Sequence, residues 1–180
     1  MALLNILIFP DSRLRTVAKS VQSIDDSVKS LAQDMLQTMY EGSGIGLAAT
    51  QVNVHKRVIV IDISEDKTKP IILINPKITK VIDKAKKVYA EGCLSVPGFY
   101  EELERPSSVE VSYKNLEGED KTLLANDLLS VVVQHEMDHL DGKMMVDSIS
   151  NIKREMIRKK LAKSKGRLYL QGLQNSPLNI

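Results

Sequence analysis

The chain has 180 residues, 43% hydrophobic and 27% charged, ordinary values for one globular domain with a proper core. A single cysteine, Cys93, excludes an internal disulfide and fits a reducing compartment. The net charge of +2 hides an asymmetry, because residues 1–142 hold 16 Lys/Arg against 21 Asp/Glu while residues 143–180 hold 9 against 2.

In chain order, Met1 to Pro10 is apolar but lacks a basic leader, a long apolar run and a small-residue cleavage site. It is therefore read as neither signal peptide nor membrane span, with Ile6 to Phe9 as a short buried segment and a cytoplasmic location expected. Asp25 or Asp26 can cap a helix running to about Tyr40, whose apolar stripe is Val28, Leu31, Met35, Leu36 and Met39. Three glycines between Glu41 and Gly46 break it. Arg57 to Ile63 reads as a strand, as do Ile71 to Ile74 and Ile78 to Ile82. Pro97-Gly98 marks a turn. Val109, Val111 and Tyr113 alternate with polar residues, turn at Glu117-Gly118 and return through Lys121 to Ala125 as a hairpin.

A helix follows directly, with Asn126 as N-cap, Asp127 in its first turn and Gly142 at its C′ position. Leu128, Leu129, Val131, Val132, Val133, Met137 and Leu140 make it apolar almost all round, so it belongs in a core. A last helix, capped near Ser148 or Ser150, is expected over 151–166, ahead of a tail at 167–180. Strands followed by helices without regular β-α-β alternation imply α+β. The expected fold is small antiparallel β-sheets packed around the buried central helix, in one domain spanning residues 1–180.

That central helix carries His135-Glu136-Met137-Asp138-His139. Histidines four positions apart leave one helix face and can close on a single ion. Glu136 is rotated by about 100° from His135, beside the ion, where a base for its bound water belongs. A pair of hydrogen-bonded core histidines is the competing reading. A catalytic site of this kind needs a third ligand, and Cys93, His55 and many carboxylates are candidates. Cys93 is the strongest, because Gly92 lets the backbone approach closely and a thiolate binds a borderline-soft ion well. In Gly44 to Gln51 (GIGLAATQ) a helix precedes the glycines and a strand follows, the reverse of a dinucleotide motif. The remaining readings are backbone held close to a substrate, with Gln51 supplying an amide, or a connector without a role.

Three segments, Gly44 to Gln51 (GIGLAATQ), Glu91 to Ser95 (EGCLS) and Gln134 to Gly142 (QHEMDHLDG), resemble the three signature motifs of peptide deformylases in order and spacing. The likeness runs from Pro10-Asp11 to the basic C-terminal helix. It implies removal of the formyl group from N-formyl-methionyl nascent polypeptides, with release of formate. By the same resemblance Cys93, His135 and His139 hold one divalent ion, Fe(II) being the native one implied, and zinc, nickel or cobalt also suit these donors. Glu136 is then the general base and acid acting on a metal-bound hydroxide, and Gln51 and the Leu94 N–H steady the oxyanion. Gly46 pairs with an extended peptide, and Ile45, Leu128, Val131 and Val132 wall the methionine pocket. Glu91 is counted among the substrate-binding residues. Thr50 stands where many members have proline. The acidic stretch Phe99 to Glu102 differs from the basic residue that some members place at Tyr100.

Two other classes compete. A metalloprotease shares the His-Glu-x-x-His pattern but takes its third ligand downstream, and residues 143–180 contain one Asp, one Glu and no His. A nucleic-acid-binding module would rest on Lys153, Arg154, Arg158, Lys159, Lys160, Lys163, Lys165 and Arg167. Such a run is also what a solvated helix face looks like. Under the resemblance this basic helix becomes a ribosome contact that supplements catalysis.

Overall fold

The computed structural model describes residues 2–163. Its helices are α1 (Asp26–Glu41), α2 (Asp127–Leu140) and α3 (Asn151–Lys163), and its strands are β1 (Gly46–Ala48), β2 (Val58–Ile61), β3 (Ile71–Glu91), β4 (Glu101–Lys114) and β5 (Asp120–Asn126). The α+β expectation holds, with one difference. The strands form a single five-stranded antiparallel sheet in the order β1-β2-β3-β4-β5, rather than several small sheets.

The two expected strands around residues 71–82 are one strand. Asn75 takes a left-handed conformation (φ 53°), its side chain pairs with both backbone groups of Val21 at 2.8 and 2.9 Å, and the register shifts between Ile74 and Lys77. A bulge absorbs the extra residue and lets the ladder resume, so Asn75-Pro76 looks like a break without being one.

The sheet is covered on both faces at β2, which explains why this strand is an unbroken β-branched run rather than an alternating one. Val58 and Val60 pack with Val28, Met35 and Met39 of α1. Ile59 and Ile61 pack with Val131, Val132, Val133, Met137 and Leu140 of α2. Asp25 caps α1 by accepting from the Val28 N–H at 3.1 Å. At the head of α2, Asn126 stands in the cap position, but its side chain is turned to Ser108 Oγ of β4 at 2.7 Å and does not cap. Gly142 ends α2 at φ +71°, and a Cβ there would meet the Arg15 carbonyl oxygen at 2.5 Å. In the opening segment Leu7 and Phe9 are buried, and Ile6 and Ile8 half-buried.

A third cluster joins this opening segment, the Cys93 region and α3. The face that α3 buries carries Ile157 and Leu161, whereas Ile152 is 85% exposed and Met156 also faces outward. Residues 164–166 of the expected helix, and the tail 167–180, lie outside the described residues. Ile157→Ala should lower unfolding free energy by about 2–5 kcal/mol, and Ile152→Ala should change it by less than about 0.5 kcal/mol. Urea denaturation followed by circular dichroism checks both; equal losses would contradict the assigned face.

Candidate metal centre

Helical spacing sets the first two donors. His135 and His139 lie one turn apart on α2, their ring centroids 5.0 Å apart and the planes inclined at 70°. The third donor arrives from the sheet. β3 ends at Glu91, and Val96 N–H donates to the Cys93 carbonyl at 2.8 Å, closing a turn that turns Cys93 toward α2. Cys93 Sγ stands 3.2 Å from His139 Nε2. Ligand atoms of Cys93, His135 and His139 all lie within 4.8 Å of one another. Bonds of about 2.0–2.3 Å in a tetrahedral set space their donors roughly 3.5 Å apart. The group is therefore close to ligating geometry.

The hydrogen bonding tests whether these residues fit a cation. His135 Nε2, His139 Nδ1 and both carboxylate oxygens of Glu136 are buried without a protein partner. Buried polar atoms are almost always satisfied, so His135 Nε2 and the two Glu136 oxygens mark a site whose partners come from outside the chain; His139 meets Cys93 through Nε2, and its Nδ1 points elsewhere. Burial pushes the Cys93 thiol above its usual range, with the Glu136 carboxylate adding to the effect. It also holds His139 well below the imidazole range, His135 reinforcing it, which leaves the neutral form that ligates. Two imidazoles and a thiol suit zinc, iron, nickel or cobalt, and the residues fit the group.

Glu136 points beside the donors. Burial drives its carboxyl well above the ordinary range. A Cβ on Gly46 would lie 2.5 Å from Glu136 Oε1 and 2.9 Å from Val132 Cγ1, and one on Gly42 or Gly44 would lie 2.9 or 2.8 Å from the Leu94 side chain. The glycines of the loop after α1 are thus spaces for Leu94 and Glu136 rather than a plain connector. Gln51 accepts from the Ala48 N–H through Oε1 at 2.8 Å, and its Nε2 donates to Ser95 Oγ at 3.2 Å and approaches Cys93 Sγ at 3.6 Å.

The strand beside them is open. β1 is an edge of the sheet. Asp62 N–H donates to the Ile45 carbonyl, and Gly46 stands opposite Ile61. Antiparallel alternation then turns the N–H and C=O of Gly46 away from β2, toward the open edge. Ile45, Val131 and Val132 are buried in one apolar cluster, with Leu128 and Tyr89 packed against it. Thr50 Oγ1 donates to the His139 carbonyl at 3.1 Å. His55, the remaining ligand candidate, lies away from the cluster, its Nε2 3.2 Å from the Arg13 carbonyl oxygen.

Glu91 is placed differently from the expected substrate contact. Its Oε2 meets His135 Nδ1 at 2.8 Å and Arg105 at 2.9 Å, and Arg105 reaches on to Asp138 Oδ2 at 2.9 Å. Burial alone would raise the Glu91 carboxyl, but the hydrogen bonds and charges of His135 and Arg105 outweigh it and hold it below its usual range. Such a partner fixes which ring nitrogen faces the ion. Sequence reasoning missed Arg105, Asp138 and Ser95. Asp138 was findable, three positions after His135 and on the same helix face; Arg105 sits in a charged run that reads as solvated. Arg105→Met should leave Glu91 uncompensated and weaken metal affinity about 10–100-fold, as measured by chelator competition. Unchanged affinity would contradict the bracing.

Comparison with known proteins gives the family. The sequence model of the family described as polypeptide deformylase matches residues 3–155. "Peptide deformylase 1" of Pseudomonas syringae pv. tomato is 57% identical over 163 residues, covering 91% of this chain and 96% of the relative. The peptide deformylase of Teredinibacter turnerae is 58% identical over the same coverage. Among solved structures, a peptide deformylase from Legionella pneumophila superposes with a TM-score of 0.87 at 43% identity, covering 94% of this chain and 99% of that one. One from Ehrlichia chaffeensis, in complex with actinonin, gives 0.88 at 38% identity, covering 93% and 99%. With the family's match spanning most of the chain and its fold reproduced, this chain belongs to the polypeptide deformylases, a family of metallo-hydrolases.

Proposed function

We propose that this chain removes the formyl group from the N-terminal formyl-methionine of nascent polypeptides and releases formate. The observation that carries the reading is Glu136, buried and without a protein partner beside the Cys93, His135 and His139 donors. Those three residues would hold one divalent ion, Fe(II) as the native choice with zinc, nickel or cobalt able to substitute. When bound, such an ion acidifies water and polarises a carbonyl.

The chain's own residues do the rest. Glu136 takes a proton from the attacking water on one carboxylate oxygen and returns it to the nitrogen of the leaving amine; its raised proton affinity suits a group that must do both. Gln51 Nε2, fixed by Ser95 and Ala48, offers an N–H to the oxygen where charge develops, and the Leu94 backbone N–H is the second donor. The peptide adds as a strand along β1 through Gly46. Its methionine side chain enters the apolar cluster of Ile45, Leu128, Val131 and Val132. Glu91 acts through His135 rather than on the substrate, since it is fully buried and both oxygens are occupied by His135 and Arg105. The closeness of Gly46 to Glu136 favours a carbonyl carbon that bears only hydrogen.

The whole chain is taken as one catalytic domain. No helix among the described residues is long and apolar enough to cross a membrane, and we place the activity in the cytoplasm, where formyl-methionyl chains emerge. Ribosome contact is assigned to α3 and the basic residues after it. Within α3, Lys153 is paired with the partly buried Glu101 at 2.7 Å and Arg158 with Glu155 at 3.0 Å; only the second is an exposed pair that phosphates can displace at little cost.

Glu136→Ala should retain the metal and lose deformylation almost entirely, because it removes the proton carrier and spares every ligand. Gln51→Leu should lower turnover by about 10²–10³-fold, as loss of an oxyanion donor does. Formate release from a formyl-Met peptide, with metal analysis of each variant, checks both. Metal loss in the first variant, or a change confined to KM in the second, would contradict the assigned roles.

A further inference from the structure

The opening segment, Ala2 to Phe9, lies outside helix and sheet, yet its amides are committed one after another. Ala2 N–H donates to Asp34 Oδ1 at 2.7 Å and Leu4 N–H to Thr38 Oγ1 at 2.9 Å, both on α1. Leu7 N–H then donates to the Gln51 carbonyl at 2.7 Å, and Phe9 N–H to the Ser95 carbonyl at 2.9 Å. The Leu7 and Phe9 side chains are buried in the same cluster as Cys93 and Val96.

The two acceptors belong to the two backbone segments that carry the oxyanion donors. One is Gln51 itself. The other is Ser95, next to Leu94 and two residues from Cys93. We infer that Leu7 and Phe9 are positioning residues, whose backbone N–H groups set the spacing between Gln51 and the Cys93-Leu94-Ser95 turn. This rests on the roles given above to Gln51 and Leu94.

The physical requirement is strict. Oxyanion donors act only when they stand about 2.7–3.1 Å from where the charge develops. A displacement of about 1 Å can cost roughly 10²-fold in rate. Gln51 and Leu94 come from opposite ends of β2 and β3 in the chain, so their spacing depends on what ties the two segments together. The Gln51 side chain provides one tie, to Ser95 Oγ. The opening segment provides a second, through atoms that never touch substrate.

Leu4 and Leu7 each donate a backbone N–H from the same segment, but the first ends on the Thr38 hydroxyl of α1 and the second on the Gln51 carbonyl. That contrast separates positioning from simple anchoring. The test replaces a single backbone amide by an ester in the full chain, at Leu7, at Phe9 and, as control, at Leu4, keeping every side chain. The Leu7 and Phe9 esters should each lower kcat for a formyl-Met peptide about 10-fold, with KM within about twofold and metal content unchanged. The Leu4 ester should lower the melting temperature and leave kcat within about twofold. An active parent whose Leu7 and Phe9 esters keep full kcat, or whose Leu4 ester loses as much as they do, overturns this inference alone. A parent that releases no formate overturns the functional reading and this inference with it.

Discussion

Cys93, His135, Glu136 and His139 are buried together, between apolar clusters and a few hydrogen-bonded polar groups such as Gln51, Ser95 and Glu91. Burying an unpaired carboxylate or thiolate costs on the order of several kcal/mol, and protein groups leave both Glu136 oxygens and His135 Nε2 unsatisfied. A divalent cation with its water would remove that cost. Cys93, His135 and His139 would hold it as thiolate and neutral imidazoles, and its water would supply a hydrogen-bond donor to Glu136. The rest of the molecule can be understood as the scaffold that holds these four side chains at one point.

That scaffold uses α2 as an axis. The sheet, covered on both faces around β2, fixes the helix by its valines, so the histidine face turns toward the end of β3. Glycines at 42, 44 and 46 then let the loop after α1 close over Leu94 and Glu136, where any side chain would collide. Behind the ligands runs a chain of charges, Asp138 to Arg105 to Glu91 to His135. It allows a carboxylate to be buried against an imidazole without leaving either uncompensated. Stability and reactivity meet here, since the groups that make the site expensive are those to which the proposed chemistry is assigned.

Much of this was legible in the sequence, for a physical reason. Helical periodicity puts His135 and His139 on one face whatever the tertiary fold, and a lone Cys93 beside Gly92 stands out chemically. Caps and stripes likewise located α1 and α2. What could not be read depended on contacts between distant segments. Asn75 looked like a strand end because its partner, Val21, lies 54 residues away. Asn126 looked like a cap because Ser108 was not in view. Arg105 sat among exposed charges until Glu91 and Asp138 closed on it. The buried face of α3 was equally out of reach. Ile152 and Met156 share a stripe with nothing to cover them among the described residues, while Ile157 and Leu161 meet the Cys93 cluster.

The central claim is that Cys93 joins two histidines on one ion. X-ray absorption at the metal edge of zinc-loaded protein tests it most directly. The account predicts one sulfur at about 2.3 Å together with nitrogen at about 2.0–2.1 Å. A ligand set of nitrogen and oxygen alone would contradict it.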